Sequence, residues 1–255
     1  MKITPIAALS DNYIWLLIFE NNAVCVDPGD AEPILRFLSD NHLNLMGILL
    51  THHHHDHIGG VAALKARYPQ CTVYGNAAWG ADCVVGEGDV IHAGECTAEV
   101  WLIPGHTAAH LAYLVCDHAQ THVFCGDTLF SAGCGRVFDG TVNDLFNSLQ
   151  RFNRLPENTL FYPAHEYTLS NLRFSQAIEP ENTAVTAAFQ AAQIMRHHNK
   201  PTLPTSLAHE RQINPFLRIG KTTVKQQAVI QGLPESEADN ESAVFAFLRE
   251  WKNRF

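Results

Sequence analysis

Histidine is the residue in excess, with 15 among 255, and its members cluster where they could hold metal. The run Thr51-His-His-His-His-Asp-His57 follows the apolar segment Met46-Gly-Ile-Leu-Leu50. It lies inside the chain, whereas a purification tag sits at a terminus, so it reads as native sequence. Four ionisable side chains packed together with nothing to bind would destabilise one another through desolvation. Three further loops carry metal-capable groups: Pro104-Gly-His106-Thr, Gly126-Asp127-Thr and Pro163-Ala-His165-Glu. Alone, His165 or Asp127 would be an ordinary turn or capping residue; beside the histidine run they become candidate ligands.

The donors add up to five imidazoles, His52, His54, His57, His106 and His165, and two carboxylates, Asp56 and Asp127. A tetrahedral zinc takes about four ligands, so this set suits two ions with one carboxylate spanning both. Nitrogen and oxygen donors without thiolate select a divalent metal such as zinc, the first choice, or iron or manganese. His53 and His55 are expected to flank the site without ligating. Two cations sharing a water would bring its pKa from about 15.7 towards neutrality, supplying hydroxide at physiological pH. No G-x-S-x-G elbow is present for a serine triad.

Each of these loops follows an apolar, β-branched or aromatic run: Ile48 to Leu50, Trp101 to Ile103, Val123 to Cys125 and Leu160 to Tyr162. Further strands are expected at Tyr13 to Phe19, Ala23 to Val26, Cys71 to Tyr74 and Leu111 to Val115, with helices at Ala31 to Ser39 and Val61 to Arg67. Ligands in α/β sheets gather beyond the carboxyl ends of strands, so the loops are expected to converge. Gly59-Gly60, Gly105 and Gly126 would give the backbone room beside the ligands. From about Leu169 the text becomes helical, with "TAVTAAFQAAQIMRHHNK", a Pro-punctuated linker "PTLPTSLAHERQINPF", and "SAVFAFLREWKNRF" with Val244, Phe247, Leu248 and Trp251 at helical spacing. The expected architecture is an α/β sandwich over residues 1–165 and a helical domain over 166–255.

Composition narrows the partners. Hydrophobic residues at 46% and charged residues at 17% are ordinary globular usage. A net charge of −9 argues against an extended contact with nucleic acid or anionic membrane, which clustered Lys and Arg would be needed to hold. Seven scattered cysteines, Cys25, Cys71, Cys83, Cys96, Cys116, Cys125 and Cys134, form no C-x-x-C pair and read as reduced thiols. The N-terminal stretch lacks a signal-peptide pattern, and no run reaches the roughly 20 apolar residues of a membrane span. A cytoplasmic monomer is expected.

The run Thr51 to His57 matches the T-H-x-H-x-D-H signature of the metallo-β-lactamase superfamily. "VDPGDAEPIL", "THHHHDHIGG", "PGHTAAH", "CGDTLFSAGCGR", "AHEYTLSN" and "REWKNRF" together resemble the glyoxalase II, or hydroxyacylglutathione hydrolase, family along essentially the whole chain. That resemblance implies an αββα sandwich with a C-terminal helical domain, and hydrolysis of S-D-lactoylglutathione to D-lactate and glutathione, the second step of methylglyoxal detoxification. It assigns His52, His54 and His106 to one metal and Asp56, His57 and His165 to the other, with Asp127 bridging, so that Asp56 and Asp127 are the catalytic carboxylates. It also implies that Arg136, Tyr167, Arg249 and Lys252 bind the glutathione moiety. Position 136 is Arg where some relatives have Lys, and 138 is Phe where some have Tyr. Without the resemblance, Arg249 and Lys252 would read as a solvated helix face, and Cys134 reads as a packing or turn residue.

Other readings make distinguishable demands. An iron-dependent persulfide dioxygenase would share the His/Asp signature with a single metal and is expected to lack the long helical C-terminal text. A nuclease of the superfamily would need basic patches, and a lactone or β-lactam hydrolase would not need the C-terminal cations. A purely structural site would close with four ligands. Truncation before Pro234 is expected to raise KM for glutathione thioesters while leaving the metals in place.

Overall fold

The computed structural model describes residues 1–255, and the chain divides into two compact units. The first comprises Met1–Ile103, Ala109–Gly126 and Tyr162–His165; the second comprises Pro104–Ala108, Asp127–Phe161 and Glu166–Phe255.

The first unit is built on a six-stranded sheet of β1 (Lys2–Ala8), β2 (Asn12–Phe19), β3 (Asn22–Val26), β4 (Asn44–Leu49), β5 (Thr72–Gly75) and β6 (Cys83–Val84), in that spatial order. The first three strands run antiparallel and the last four parallel. Parallel neighbours need crossovers, and helices supply them: α1 (Ala31–Asp40) between β3 and β4, then α2 (His55–Ile58) and α3 (Val61–Arg67) between β4 and β5. Asp30 starts α1 by accepting the Glu32 N–H on its side chain at 3.0 Å. β2 and β3 are buried at successive residues, so both of their faces are covered, which is why they read as continuous apolar runs.

A second set of strands, β7 (Val90–Ala93), β8 (Cys96–Leu102), β9 (Leu111–Asp117) and β10 (Gln120–Gly126), pairs antiparallel in sequence order. Tyr113 on β9 sends its hydroxyl to the Leu50 carbonyl at 2.8 Å, and Tyr74 on β5 sends its own to His92 at 2.8 Å. Those bonds tie the two sets of strands together at the end where the histidine run leaves β4. Trp15, 2% exposed, donates its indole N–H to the Pro163 carbonyl at 2.8 Å, so its polar edge is satisfied in the core.

The second unit holds a short hairpin of β11 (Leu129–Phe130) and β12 (Gly133–Cys134), then α4 (Val142–Phe152) and the start of β13 (Leu160–Pro163). These are followed by α5 (Thr168–Ile178), α6 (Thr183–His197), β14 (Thr205–Ser206), α7 (Leu207–Ile213), α8 (Thr222–Ile230) and α9 (Glu241–Arg254). Asn182 and Asn240 cap α6 and α9 with side-chain oxygens. The Pro-punctuated stretch expected to be a linker instead contains α7, whose Leu207, Glu210 and Ile213 are buried. Two buried apolar positions and one buried glutamate make too short a pattern to separate from loop. α9 buries Val244, Phe245, Leu248 and Arg249, so its inner face is rotated from the one expected, and a cation lies on it.

Candidate metal centre

β4 ends at Leu49, and the chain after it is tied down before any ligand is reached. Asp27, just beyond β3, accepts the Thr51 N–H at 2.8 Å and the Thr51 hydroxyl at 2.6 Å. Thr51 Oγ1 has given its hydrogen to Asp27, so at 3.0 Å from His52 Nδ1 it is the acceptor. His52 therefore carries its proton on Nδ1 and presents Nε2 as a lone pair. That Nε2 lies 3.1 Å from His54 Nδ1. The His52 ring also stacks on that of His110, centroids 4.7 Å apart and planes 19° apart. Gly126, at φ +48, completes the wall: a Cβ there would overlap Thr51 Oγ1 and press on the His110 ring.

The helical turn α2 then places Asp56 and His57 on adjacent positions. His57 Nδ1 is 3.0 Å from Asp27 Oδ2, and His57 Nε2 is 3.5 Å from Asp56 Oδ2. His165, after β13, repeats the arrangement: its Nδ1 is 2.8 Å from Asp11 Oδ1, and its Nε2 is 3.4 Å from Asp56 Oδ2. A carboxylate behind each ring fixes the tautomer and turns Nε2 forward, which is the way proteins orient metal-ligating histidines. Asp56, His57 and His165 have one ligand atom each within 4.8 Å of one another. Asn12 donates to Asp56 Oδ2 at 3.1 Å. When the imidazoles are protonated, the hydrogen bond from His165, helped by the charge of His57 and by Asn12 against the cost of burial, holds the Asp56 carboxyl well below the usual carboxylate range. An ionised oxygen donor flanked by two forward-facing imidazoles fits a divalent cation. Asp27, His52 and His57 also approach within 4.8 Å, but the Asp27 oxygens are already engaged by Thr51 and His57.

In the second unit His106 is oriented the same way. Its Nδ1 lies 2.8 Å from the Arg136 carbonyl, a group that only accepts, so Nε2 again carries the lone pair, 3.5 Å from Asp127 Oδ2. Gly135 makes this approach geometrically feasible: a Cβ there would overlap the Asp127 carbonyl and come within 3.2 Å of His106 Nδ1. His106 and Asp127 are 3% and 7% exposed.

The four residues expected to hold glutathione all lie in the second unit. Arg136 is exposed, and Tyr167, 37% exposed, sets its ring against Phe130 at 5.1 Å and 73°. Lys252 stands over the rings of Phe174 and Phe255 at 5.2 and 5.5 Å and donates to the Ser170 carbonyl at 3.2 Å. Burial, with Arg249 and Arg136 adding positive charge nearby, pulls its ammonium pKa down to about 8. Arg249 departs most from a solvated helix face. It is 3% exposed, and its Nη1 donates to the carbonyls of Cys134 at 2.9 Å and Gly135 at 3.3 Å, while Nη2 reaches Asn253 at 3.1 Å. The Cys134 thiol, on β12, is buried behind it, and burial raises its pKa, so it packs there with little thiolate to act as a nucleophile.

Asp11, Asn12, Asp27 and His110 escaped the sequence reading. Asp11-Asn12 breaks an apolar stretch, Asp27 sits in "VDPGD", and His110 closes "PGHTAAH"; polar residues hard against strand ends are the only signal the sequence carries. His53 and His55 are exposed and take no part in the contacts above.

Comparison with known proteins follows the same lines. The model of the hydroxyacylglutathione hydrolase C-terminus matches residues 166–255, and that of the metallo-beta-lactamase superfamily matches 9–83. The chain is 51% identical to the hydroxyacylglutathione hydrolase of Neisseria meningitidis, covering 100% of both. Among solved structures it is similar to ETHE1 from Myxococcus xanthus, with a TM-score of 0.66, 28% identity and 99% and 100% of the two chains covered. It is also similar to TTHA1623 in a di-iron-bound form, with a TM-score of 0.59 and 26% identity, covering 84% of this chain and 100% of that one.

Proposed function

Because the chain belongs to the hydroxyacylglutathione hydrolase family of the metallo-β-lactamase superfamily, we propose that it hydrolyses S-(2-hydroxyacyl)glutathione thioesters, S-D-lactoylglutathione first among them, to the hydroxy acid and glutathione. Its fold is the α/β metallo-β-lactamase fold with a C-terminal helical domain. The observation that carries the reading is the shared orientation of His57 and His165, each with Nδ1 held by a carboxylate and Nε2 turned to Asp56.

His52, His54 and His106 are the proposed ligands of one ion, and Asp56, His57 and His165 of the other, with Asp127 shared. Two ions are supported by the size of this donor set and by the di-iron form of a similar protein; zinc is the proposed metal, with iron or manganese able to use the same donors. Divalent ions held there supply Lewis acidity, lowering the pKa of water and polarising a carbonyl.

The chain's own residues do the rest. Asp27, Asp11 and the Arg136 carbonyl keep the ligating rings in one tautomer. Asp56 and Asp127 keep negative charge at the centre. Glutathione carries two carboxylates and one ammonium, so Arg136 and Lys252 offset its excess charge in a chain of net charge −9. Arg249 has Nη1 committed to backbone carbonyls and Nη2 to Asn253, which leaves its Nε for the site, while Tyr167 offers an exposed phenol. The leaving thiolate belongs to a thiol of pKa about 8.5, so no residue is needed as a strong general acid. Residues 1–165 form the proposed catalytic part and 166–255 the proposed glutathione-binding part. The enzyme is proposed to act as a cytoplasmic monomer without nucleic-acid or membrane partners; no helix is long and apolar enough to cross a membrane.

Metal analysis of untagged protein, paired with S-D-lactoylglutathione hydrolysis before and after chelation, tests the reading. About two ions per chain and chelator-sensitive hydrolysis are expected. One iron and no hydrolysis would replace it with an iron-dependent persulfide dioxygenase.

A further inference from the structure

The segment from Asp127 to Arg136 contributes a carboxylate at one end and the carbonyl that orients His106 at the other, yet it has little structure of its own. β11 and β12 pair only through Leu129 with Cys134 and Phe130 with Gly133. Its tip, Ala132, sits at φ +57, a conformation that a residue with a Cβ adopts at a cost. Two strands of two residues do not hold a hairpin in water.

Arg249 holds its far end at the Cys134 and Gly135 carbonyls, and a glutamate grips its tip. Glu210 on α7 is 0% exposed, and its carboxylate accepts four hydrogen bonds. They come from the Ser131 hydroxyl at 2.9 Å, the Ala132 N–H at 2.8 Å, the Thr205 hydroxyl at 2.7 Å and the Asn214 amide at 2.9 Å. Asn214 also donates to the Phe130 and Gly133 carbonyls at 3.3 and 3.0 Å, and Asn171 on α5 to that of Ser131 at 3.0 Å. Ala132 is packed among Leu172, Val185, Ala192 and Ile213.

All four donors to Glu210 are neutral. A buried carboxylate without a cation is costly, and burial raises its pKa against the pull of those hydrogen bonds. A leucine of similar volume would avoid that cost but would leave the Ala132 N–H buried without an acceptor.

We propose that Glu210 is a positioning residue: by gripping Ser131 and Ala132 it sets the course of the 127–136 segment, and with it the placement of the Asp127 carboxylate and of the Arg136 carbonyl behind His106. The catalytic part of this inference rests on the hydrolase reading; the structural part stands alone.

Glu210→Gln can keep every contact, because its amide oxygen accepts from Ala132 and Asn214 while its NH2 donates to the Ser131 and Thr205 hydroxyls, which also accept. Glu210→Leu cannot. Hydrogen exchange of residues 127–136 and steady-state kinetics at matched metal loading are therefore measured on wild type, Glu210→Gln, Glu210→Leu and Thr205→Val. Thr205 donates to Glu210 from outside the hairpin and so controls for general loss of stability.

Glu210→Leu is expected to lose exchange protection over 129–136 and about a hundredfold in kcat, the scale of an ångström's misplacement at a reacting centre, with KM within about twofold. Glu210→Gln should recover both properties to within about threefold. Thr205→Val should lower Tm without changing kcat. Unchanged exchange and kcat in Glu210→Leu would overturn the proposal, as would kcat losses that simply track Tm through Thr205→Val. Should Glu210→Leu fail to fold, Ser131→Ala decides by the same exchange readout, with unchanged protection counting against the proposal. If the wild type does not hydrolyse the thioester, the hydrolase reading falls, while the exchange comparison still decides whether Glu210 holds the segment.

Discussion

Nδ1 of His57 lies 3.0 Å from Oδ2 of Asp27, and the same carboxylate oxygen accepts the Thr51 hydroxyl at 2.6 Å. One buried residue thus fixes the tautomer of a proposed ligand and the start of the loop that carries three others. Asp27→Ala should weaken metal binding by about ten- to a hundredfold, the range for outer partners of ligating histidines. Titration of apo-protein with zinc reads this directly, and unchanged affinity would remove Asp27 from the centre.

Lys252 makes a prediction in pH. Burial brings its ammonium pKa down to about 8, so the side chain is charged below that value and loses its charge as pH rises through it. A carboxylate held by Lys252 is therefore gripped below pH 8 and released above. KM for the glutathione thioester should rise about tenfold between pH 7 and 9.5, the worth of one charged hydrogen bond. In Lys252→Arg the guanidinium stays protonated throughout, so that rise should vanish. An identical KM profile in the two proteins would show that Lys252 does not touch the substrate.

Arg249 joins α9 to the turn beside His106. The sequence alone suggests that loss of the C-terminal segment should cost only substrate affinity. The structure changes that expectation, because Val244, Phe245 and Leu248 are core residues and Arg249 Nη1 holds the carbonyls of Cys134 and Gly135. Arg249→Met should destabilise by about 2 kcal/mol, the cost of leaving buried carbonyls unmet, and should lower metal retention as well as raise KM. A change confined to KM, with Tm and metal content intact, would return Arg249 to a purely substrate-facing role.

The thiols give an independent check of the packing. Cys116 is exposed and Cys83 partly so, while Cys25, Cys71, Cys96, Cys125 and Cys134 are buried and all seven are free. Burial lifts Cys71 and Cys96 to about 12, which leaves almost no thiolate at neutral pH. A thiol reagent should therefore label Cys116 first and Cys83 more slowly in the folded protein, and all seven after denaturation. Rapid labelling of Cys71 or Cys96 without denaturant would contradict the packing around β5 and β8.

Local pattern accounts for much of what the sequence reveals. Apolar runs of three to five residues mark β3, β4, β5, β8, β9, β10 and β13, because a strand buried on both faces, as β9 and β10 are, needs a continuous run. The donor residues were legible because their types have few other uses at such density. α7 was not legible: its role is to bring one buried glutamate to a hairpin some 80 residues earlier (79 from Ser131, 78 from Ala132), and nothing local records that.

By itself, then, the sequence determined the chemistry on offer: which side chains can ligate, that they are nitrogen and oxygen donors, and that each follows a strand. Only the tertiary structure decided how those side chains are held. Whether a histidine presents Nδ1 or Nε2 depends on the acceptor behind it, and Asp27, Asp11 and the Arg136 carbonyl come from distant parts of the chain. Likewise, the charge on Arg249 or Glu210 says nothing of burial, since the free energy of a charged group is set by whatever packs around it. Those partners meet only when the chain has folded.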